Sequence, residues 1–229
     1  MKKIFFSLFS LVIAFSVNAQ RANKLTLANN GASITLRYLL DQNVVIDVNQ
    51  DGTLGEWGVD RYANRPVEFV QRKLDKFDGR VEYYNESENE AFRGKIKFIG
   101  RTLITYYAST DQDFQVGKIK SIGTAKFNYY TNADDAMQAG KLKIAGSLNF
   151  SYYNSYENQA LKGKVKNAGN VPVTYYSSFD DNVIAGKIKS LNGGAYTYYI
   201  NKEQNFAKGS LKTGRMIQVI NGVTYFIKN

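Results

Sequence analysis

A unit of 23 residues recurs along the last two thirds of this 229-residue chain, and it constrains the fold more than any other feature. A glycine followed by lysine, an aliphatic residue and lysine stands at 94–97, 117–120, 140–143, 163–166 and 186–189, with a degenerate copy at 209–212. A pair of tyrosines keeps the same step, at 83–84, 106–107, 129–130, 152–153, 175–176 and 198–199. A period of this length indicates stacked supersecondary units. We number each repeat from its glycine, which is position 1.

Each repeat contains the pattern of two short strands. Position 3 is aliphatic between two lysines, and positions 11 and 13 are apolar or aromatic around a small polar residue at position 12. Alternation with a period of two is typical of a half-buried strand. We expect strands at positions 2–6 and 9–14, with positions 3, 11 and 13 facing inward and positions 2, 4, 12 and 14 facing outward. If positions 3 and 13 pair within the hairpin, its loop holds about three residues, and the glycine at position 7 supplies a positive φ.

The return connection, at positions 15–23, carries an acid at position 18 of every full copy. These acids are Asp111, Asp134, Glu157, Asp180 and Glu203. We expect them to bond the local backbone of a turn and to form weak ion pairs with lysines. The residue at position 21 is apolar but out of phase with position 3, which predicts a bulge at the position-1 glycine.

The predicted fold is all-β, an antiparallel β-meander of two-stranded hairpins that forms an extended single-layer or curved sheet. A parallel β-helix is the main alternative, because one coil could also hold 23 residues. It would stack equivalent lysines about 4.8 Å apart, and such like-charge ladders are destabilising. In a meander the equivalent residues lie two strands apart, so the meander is favoured.

The ends of the chain predict three segments. Residues 1–19 have the basic start, the apolar run and the small-residue cleavage site of a signal peptide, so we expect export to the periplasm, the cell surface or the medium. Residues 20–78 lack the clear period and are expected to form a β capping region with a degraded repeat, in which 33–38 and 44–48 are strands. Residues 79–229 form the repeat domain. No later run is apolar enough to predict a transmembrane span.

One local motif in the capping region is compatible with calcium. Asp47, Asn49 and Asp51 alternate and are followed by Gly52, which resembles the first half of an EF-hand loop. The bidentate glutamate of the twelfth position is missing, since Gly58 stands there. The alternative is a turn between two strands, in which these side chains bond the backbone.

The composition argues against an enzyme. The chain has no histidine and no cysteine, which removes the commonest general base, the thiol nucleophile and the commonest zinc ligands. Pairs of carboxylates could hydrolyse glycosides, but the repeat acids occupy equivalent turn positions, which favours a structural role. The net charge of +10 favours an anionic glycan or the envelope surface as a partner; nucleic acid is not expected.

The candidate binding surface is a row of second tyrosines, flanked by the lysines of positions 2 and 4. The row contains Tyr107, Tyr130, Tyr153, Tyr176 and Tyr199, with Lys118, Lys120, Lys141, Lys143, Lys164 and Lys166. Aromatic rings stack on sugars, and lysines pair with anionic groups. The alternative is that tyrosine only covers the sheet and pairs across strands. We therefore predict a secreted, non-enzymatic scaffold or adhesion-type protein of the cell envelope, or else a module that binds anionic polysaccharide or lipid head groups.

The period, the paired strands and the recurring Gly and Tyr resemble the MORN-type and YwqK-type β-hairpin repeats over about residues 79–229. The Tyr-x-Gly-x-Trp core and the Gly-x-Gly pair of MORN repeats are both missing. The blocks of the type Gly-Lys-Ile-Lys-Ser-Ile-Gly, at 117–123, more closely resemble those of secreted repeat proteins of the Bacteroidota type. The resemblance implies an extended, curved sheet used as a scaffold or binding surface, and it implies no catalytic residues.

Overall fold

The computed structural model describes residues 20–61, 73–202 and 205–228, so the predicted export segment 1–19 and Glu203 lie outside the described residues. The described residues form nineteen strands and one 3-10 turn at Asp41–Asn43, which confirms the all-β class. In chain order the strands are β1 (Ala22–Ala28), β2 (Ile34–Leu39), β3 (Val44–Asn49), β4 (Leu54–Val59), β5 (Val81–Tyr83), β6 (Ile96–Ile99), β7 (Thr102–Tyr106), β8 (Ile119–Ile122), β9 (Ala125–Tyr129), β10 (Leu142–Ala145), β11 (Leu148–Tyr152), β12 (Val165–Ala168), β13 (Val171–Tyr175), β14 (Ile188–Leu191), β15 (Gly194–Ala195), β16 (Thr197–Tyr198), β17 (Leu211–Thr213), β18 (Ile217–Ile220) and β19 (Val223–Lys228).

Strands β5 to β15 form one open antiparallel sheet in which neighbours in sequence are neighbours in space, which confirms the meander. In the first four repeats the strands cover positions 3–6 and 9–13, as in β8 and β9. Positions 3, 11 and 13 are buried as predicted; in the repeat that starts at Gly117 they are Ile119, Phe127 and Tyr129. Strands β16 and β17 follow as a separate pair. The repeat is therefore one hairpin, added to the sheet at each step.

The hairpin turn holds two residues, at positions 7 and 8, and the predicted loop of about three residues is wrong. Ile99 lies opposite Thr102, and Gly100 between them has a φ of 58°. Positions 3 and 13 do lie opposite each other, but they join successive repeats, as Tyr106 and Ile119 do. Two-residue turns with positive φ match the right-handed twist of the flanking strands, which accounts for the tighter turn.

The strand register shifts once per repeat, at position 4. Between Leu142 and Ile144 the partner strand β9 advances by only one residue, so Lys143 is the extra residue. The predicted bulge at the position-1 glycine is therefore wrong. That glycine ends the return connection instead: Gly140 has a φ of 74°, and its amide donates to the Tyr130 carbonyl at 2.9 Å.

A second sheet is built from both ends of the described chain, in the order β18-β19-β1-β2-β3-β4. Its pairs are antiparallel except for β1 and β19, which run parallel with Lys24 opposite Thr224. The predicted strands at 33–38 and 44–48 correspond to β2 and β3. Strands of the 20–78 segment thus share a sheet with the last two strands of the 79–229 segment.

This six-stranded sheet packs on the apolar side of the meander, so the protein has two layers there and not one. The rings of Tyr38 and Phe127 lie with their centroids 5.4 Å apart, and the Tyr225 hydroxyl donates to the Ala168 carbonyl at 2.9 Å. Buried side chains from both sheets form one core. The inward residues of the repeats are thereby removed from water, which stabilises the fold by about 25 cal/mol for each Å² of apolar surface buried.

Candidate functional site

The second tyrosine of the pair, at position 14, bonds to the next repeat. The Tyr130 hydroxyl donates to the Phe150 carbonyl at 2.9 Å. The same bond is made by Tyr107, Tyr153 and Tyr176. These four tyrosines are half-buried against the core, whereas the Tyr199 ring stacks on Phe206 with centroids 4.6 Å apart. Four of the five tyrosines in the predicted row therefore have their hydroxyls bonded within the chain.

A lysine at position 4 lies over each second tyrosine. The Lys143 ammonium is 4.9 Å from the centroid of the Tyr130 ring. The corresponding pairs are Lys120 with Tyr107, Lys166 with Tyr153, Lys189 with Tyr176, and Lys212 with Tyr199. Such a contact contributes about 0.5–1 kcal/mol at an exposed site. The chain's own lysine thus covers the ring face on which a sugar was predicted to stack.

The lysines at position 2 lie with the first tyrosines and not with the second, which corrects the prediction of a single Tyr/Lys row. The Lys118 ammonium is 5.0 Å from the Tyr129 ring centroid and donates to the Gly140 carbonyl at 2.5 Å. Corresponding ring contacts join Lys141 to Tyr152 and Lys164 to Tyr175. Burial lowers the pKa of all three lysines. Lys118 and Lys141 bond to the glycine of the next repeat, whereas Lys164 donates to the Asn30 carbonyl in the turn between β1 and β2. Only the position-4 lysines stay together with the predicted tyrosine row.

The acids at position 18 close the return connections, as expected. The Asp134 carboxylate accepts hydrogen bonds from the Thr131 amide at 2.6 Å and from the Thr131 hydroxyl at 2.9 Å, and these bonds lower the pKa of Asp134. Ion pairs with the position-4 lysines also form: Glu88 lies 2.7 Å from Lys97. Exposed pairs of this kind contribute little to stability, so the main role of these acids is to fix the turn.

The three predicted calcium ligands lie in and beside the turn between β3 and β4. Both carboxylate oxygens of Asp47 accept from the Arg37 guanidinium, at 2.6 and 2.7 Å. Asp51 accepts from the amide and the hydroxyl of Thr53, and the Asn49 side chain donates to the same hydroxyl. The bonds of Asn49 and Asp51 are those of the strand-to-strand turn that was the alternative, and the Asp47–Arg37 pair joins β3 to β2. Over residues 20–61, 73–202 and 205–228, no group of three or more Asp, Glu, His or Cys side chains suits a metal ion.

Two turns of the six-stranded sheet bond directly to four repeats. The Gly52 carbonyl accepts from the Ile119 amide at 3.0 Å, and the Gln50 carbonyl accepts from the Leu142 amide at 2.8 Å. In the same way Gly31 accepts from Val165, and Asn29 accepts from Ile188. All four amides belong to position 3, beside the register shift, where the ladder is locally disrupted and a backbone donor needs another acceptor. We call the six-stranded sheet the cover. Its turns thus bond to four consecutive repeats, at position 3 of each.

Among the residues that the structure describes, the most exposed aromatic side chains were not predicted as site residues. Tyr156 is 93% exposed and Phe179 is 92% exposed, and both occupy position 17 of the return connection. Residues that recur do not include them, since position 17 holds an aromatic residue in only these two of the five full copies. The signal that could have found them is that departure from the repeat.

Comparison of the chain with known protein families, characterised proteins and solved structures finds no match. None of the described residues belongs to a helix that is long and apolar enough to cross a membrane. Functional inference therefore rests on the geometry of the chain itself.

Proposed function

We propose that this protein is an exported, non-enzymatic β-repeat scaffold or adhesion-type protein of the cell envelope. The observation that supports this proposal is the use of the recurring side chains. The tyrosine hydroxyl of Tyr130 and the ammonium of Lys118 each bond to the following repeat, and the same contacts recur along the sheet. Because the recurrent side chains hold neighbouring repeats together, they support a structural role for the array and not a catalytic one.

Localisation and attachment test this proposal together. Native cells are fractionated into cytoplasm, periplasm, envelope and medium, and the protein is followed with an antibody. We expect it in the envelope or in the medium, and we expect the purified protein to be retained on isolated envelopes. Recovery from the cytoplasm alone, or a purified protein that stays entirely unbound, would contradict the proposal.

A second candidate is binding of anionic polysaccharide or lipid head groups through the position-4 lysines. The observation that favours it is their exposure. The side chains of Lys120 and Lys166, which lie two repeats apart in the same row, are 48% and 49% exposed. Equivalent residues in a meander repeat about every 10 Å, two strand spacings, so their ammonium groups could follow a linear polyanion. The tyrosines beneath would hold the lysines in place and would not contact the ligand.

This candidate is tested with an acidic polysaccharide resin and with vesicles of phosphatidylglycerol. Retention should fall steeply with salt, because exposed charges are screened. The variant Lys120→Gln, Lys143→Gln, Lys166→Gln should lose most of the retention. The matched control removes three exposed lysines elsewhere, by Lys73→Gln, Lys76→Gln and Lys202→Gln. If both variants lost the same amount of retention, net charge alone would account for binding, and a specific lysine surface would be excluded.

A further inference from the structure

Two aromatic rings project into solvent from neighbouring return connections. Tyr156 and Phe179 are more than nine-tenths exposed, and their equivalents in the other copies are small or charged. The equivalents are Ser87, Thr110, Ala133 and Lys202. The fold thus forms without a ring at this position, and the two rings add nothing to its core. Exposing them costs hydrophobic free energy, which points to a ligand.

Both rings stand on connections that are held by hydrogen bonds. The Tyr156 amide donates to the Asn154 side chain at 3.0 Å, and the Phe179 amide donates to the Ser177 hydroxyl at 3.2 Å. The two connections are also joined to each other, since the Asn158 side chain accepts from the amide of the residue before Phe179 at 3.0 Å and donates to its hydroxyl at 2.8 Å. The backbone positions that carry the rings are therefore fixed relative to each other, about 10 Å apart for the two-strand step.

The connections that carry the rings are acidic and rich in amides, and position-4 lysines lie beside their carboxylates, as Lys166 does at 3.4 Å from Glu157. The three successive connections at 131–139, 154–162 and 177–185 contain five carboxylates and one lysine. The carboxylates belong to Asp134, Asp135, Glu157, Asp180 and Asp181. With these lysines the surface is close to neutral, so its charge does not attract polyanions, and it offers acceptors and donors to hydroxyl groups.

We propose that Tyr156 and Phe179 form a binding site for a neutral polysaccharide chain. Each ring would stack on the apolar face of one sugar unit, and the neighbouring carboxylates and amides would bond the sugar hydroxyls. Two rings separated by a repeat step suit a polymer whose units also repeat, whereas an apolar protein interface needs one continuous patch. This site goes beyond the scaffold function and uses none of the lysines of the second candidate.

The test is binding of the full chain to a β-1,4-glucan, an α-1,4-glucan, a mannan and a xylan, measured by affinity electrophoresis and by titration calorimetry. We expect binding to at least one of them, unchanged by salt. Tyr156→Ala and Phe179→Ala should each weaken binding about tenfold, and the double variant should abolish it. The melting temperature should not change, because neither side chain is buried.

Two further variants control the experiment. Thr110→Ala changes the same position in another repeat and should leave binding unchanged. Ala133→Tyr adds a third ring in the preceding repeat and should tighten it. The proposal is overturned if none of the four polymers binds or if the double variant binds as well as the original chain. Capture of a cationic peptide in a strongly salt-dependent manner, without polysaccharide binding, would overturn it as well and assign the surface to a basic partner.

Discussion

Gly52 and Gly31 each lie directly beneath a tyrosine ring of the meander. Both have positive φ, 84° and 66°, and a Cβ added to either would overlap the ring of Tyr129 or Tyr175. Their carbonyls accept the amides of Ile119 and Val165. Glycine is thus required for backbone conformation, for close approach and for the docking of the two sheets.

The first prediction separates packing from backbone strain. Gly52→Ala should destabilise the protein by about 1–2 kcal/mol for the left-handed conformation and by about 1–3 kcal/mol more for overlap with Tyr129. Gly222→Ala is the control, since Gly222 has a φ of 77° but nothing within 4 Å of the added Cβ. Urea unfolding of both variants measures the difference. If both variants lost the same unfolding free energy, the contact between Gly52 and the Tyr129 ring would make no contribution to stability.

The second prediction concerns alkaline pH. Burial raises the pKa of Tyr225 from 10.0 to about 12, and it also raises the pKa of the buried first tyrosines, such as Tyr129 and Tyr152. The unfolded chain therefore loses these protons at lower pH than the folded one. The contribution of Tyr225 to stability is complete below about pH 10 and is lost as the pH rises through about 12, and that of the more deeply buried tyrosines is lost at higher pH. The lowered pKa of Lys118 acts in the opposite sense, but its cost is relieved as the pH rises toward 10.5, below the range in which Tyr225 titrates.

Unfolding free energies measured from neutral pH to pH 12 should show this decline. Tyr225→Phe should make it shallower, because one titrating group is gone. At neutral pH the same change should cost about 1 kcal/mol, since the bond to the Ala168 carbonyl is lost. A stability that stays constant above pH 10 would contradict the assignment.

Individual hairpins are joined by side chains as well as by the strand ladder. Tyr130 donates to Phe150 of the next repeat, and its ring meets the Tyr152 ring edge-on, with centroids 5.8 Å apart. Tyr130→Phe keeps the ring and removes the bond, so we expect a loss of about 1 kcal/mol. Tyr199→Phe is the control, because the Tyr199 ring stacks on Phe206 instead. Thermal unfolding of the two variants compares them, and a larger loss from Tyr199→Phe would contradict this role of the hydroxyl.

The strands of the repeat could be predicted because alternation at positions 3, 11 and 13 is a local signal. The register shift could not be placed, since Lys143 carries no mark that separates an extra residue from an ordinary outward one. The second layer was missed for another reason: β1 pairs with β19 across almost the whole described chain, and no local pattern encodes such a contact.

The recurrence of the candidate tyrosines and lysines is visible in the sequence, but the contacts that these residues make could not be predicted from it. Sequence spacing places Lys118 and Lys120 on the same strand with one residue between them, which suggests a shared face. The extra residue at position 4 breaks that parity, so Lys118 lies over Tyr129 while Lys120 lies over Tyr107. A prediction of faces from alternation fails wherever a bulge intervenes.

At the scale of the whole molecule, the repeats and their cover should unfold together. Arrays of repeats often unfold in parts, since each repeat contacts only its neighbours. Here one core joins both sheets, and Leu36 of the cover is fully buried in it. The single tryptophan, Trp57, lies in β4 of the cover, whereas most tyrosines lie in the repeats.

We therefore expect the Trp57 fluorescence transition and the tyrosine near-ultraviolet circular dichroism transition to coincide in urea. Leu36→Ala should shift both to lower urea together, at a cost of about 2–5 kcal/mol. Loss of the Trp57 signal well before the tyrosine signal would show that the cover opens independently.

The cover presents four turn carbonyls, and each accepts the position-3 amide of one repeat. The number and spacing of these acceptors therefore match four repeats. Tandem repeats ordinarily gain and lose copies with little penalty, because each unit contacts only the next. A duplication of one 23-residue unit inside this array would add an amide without an acceptor and would move every later repeat away from the carbonyls of Gly31 and Asn29. The number of repeats between the copies that start at Gly117 and Gly186 is thus matched to the sheet laid across them, and we expect this part of the array to vary by substitution at single positions and not by insertion of a unit.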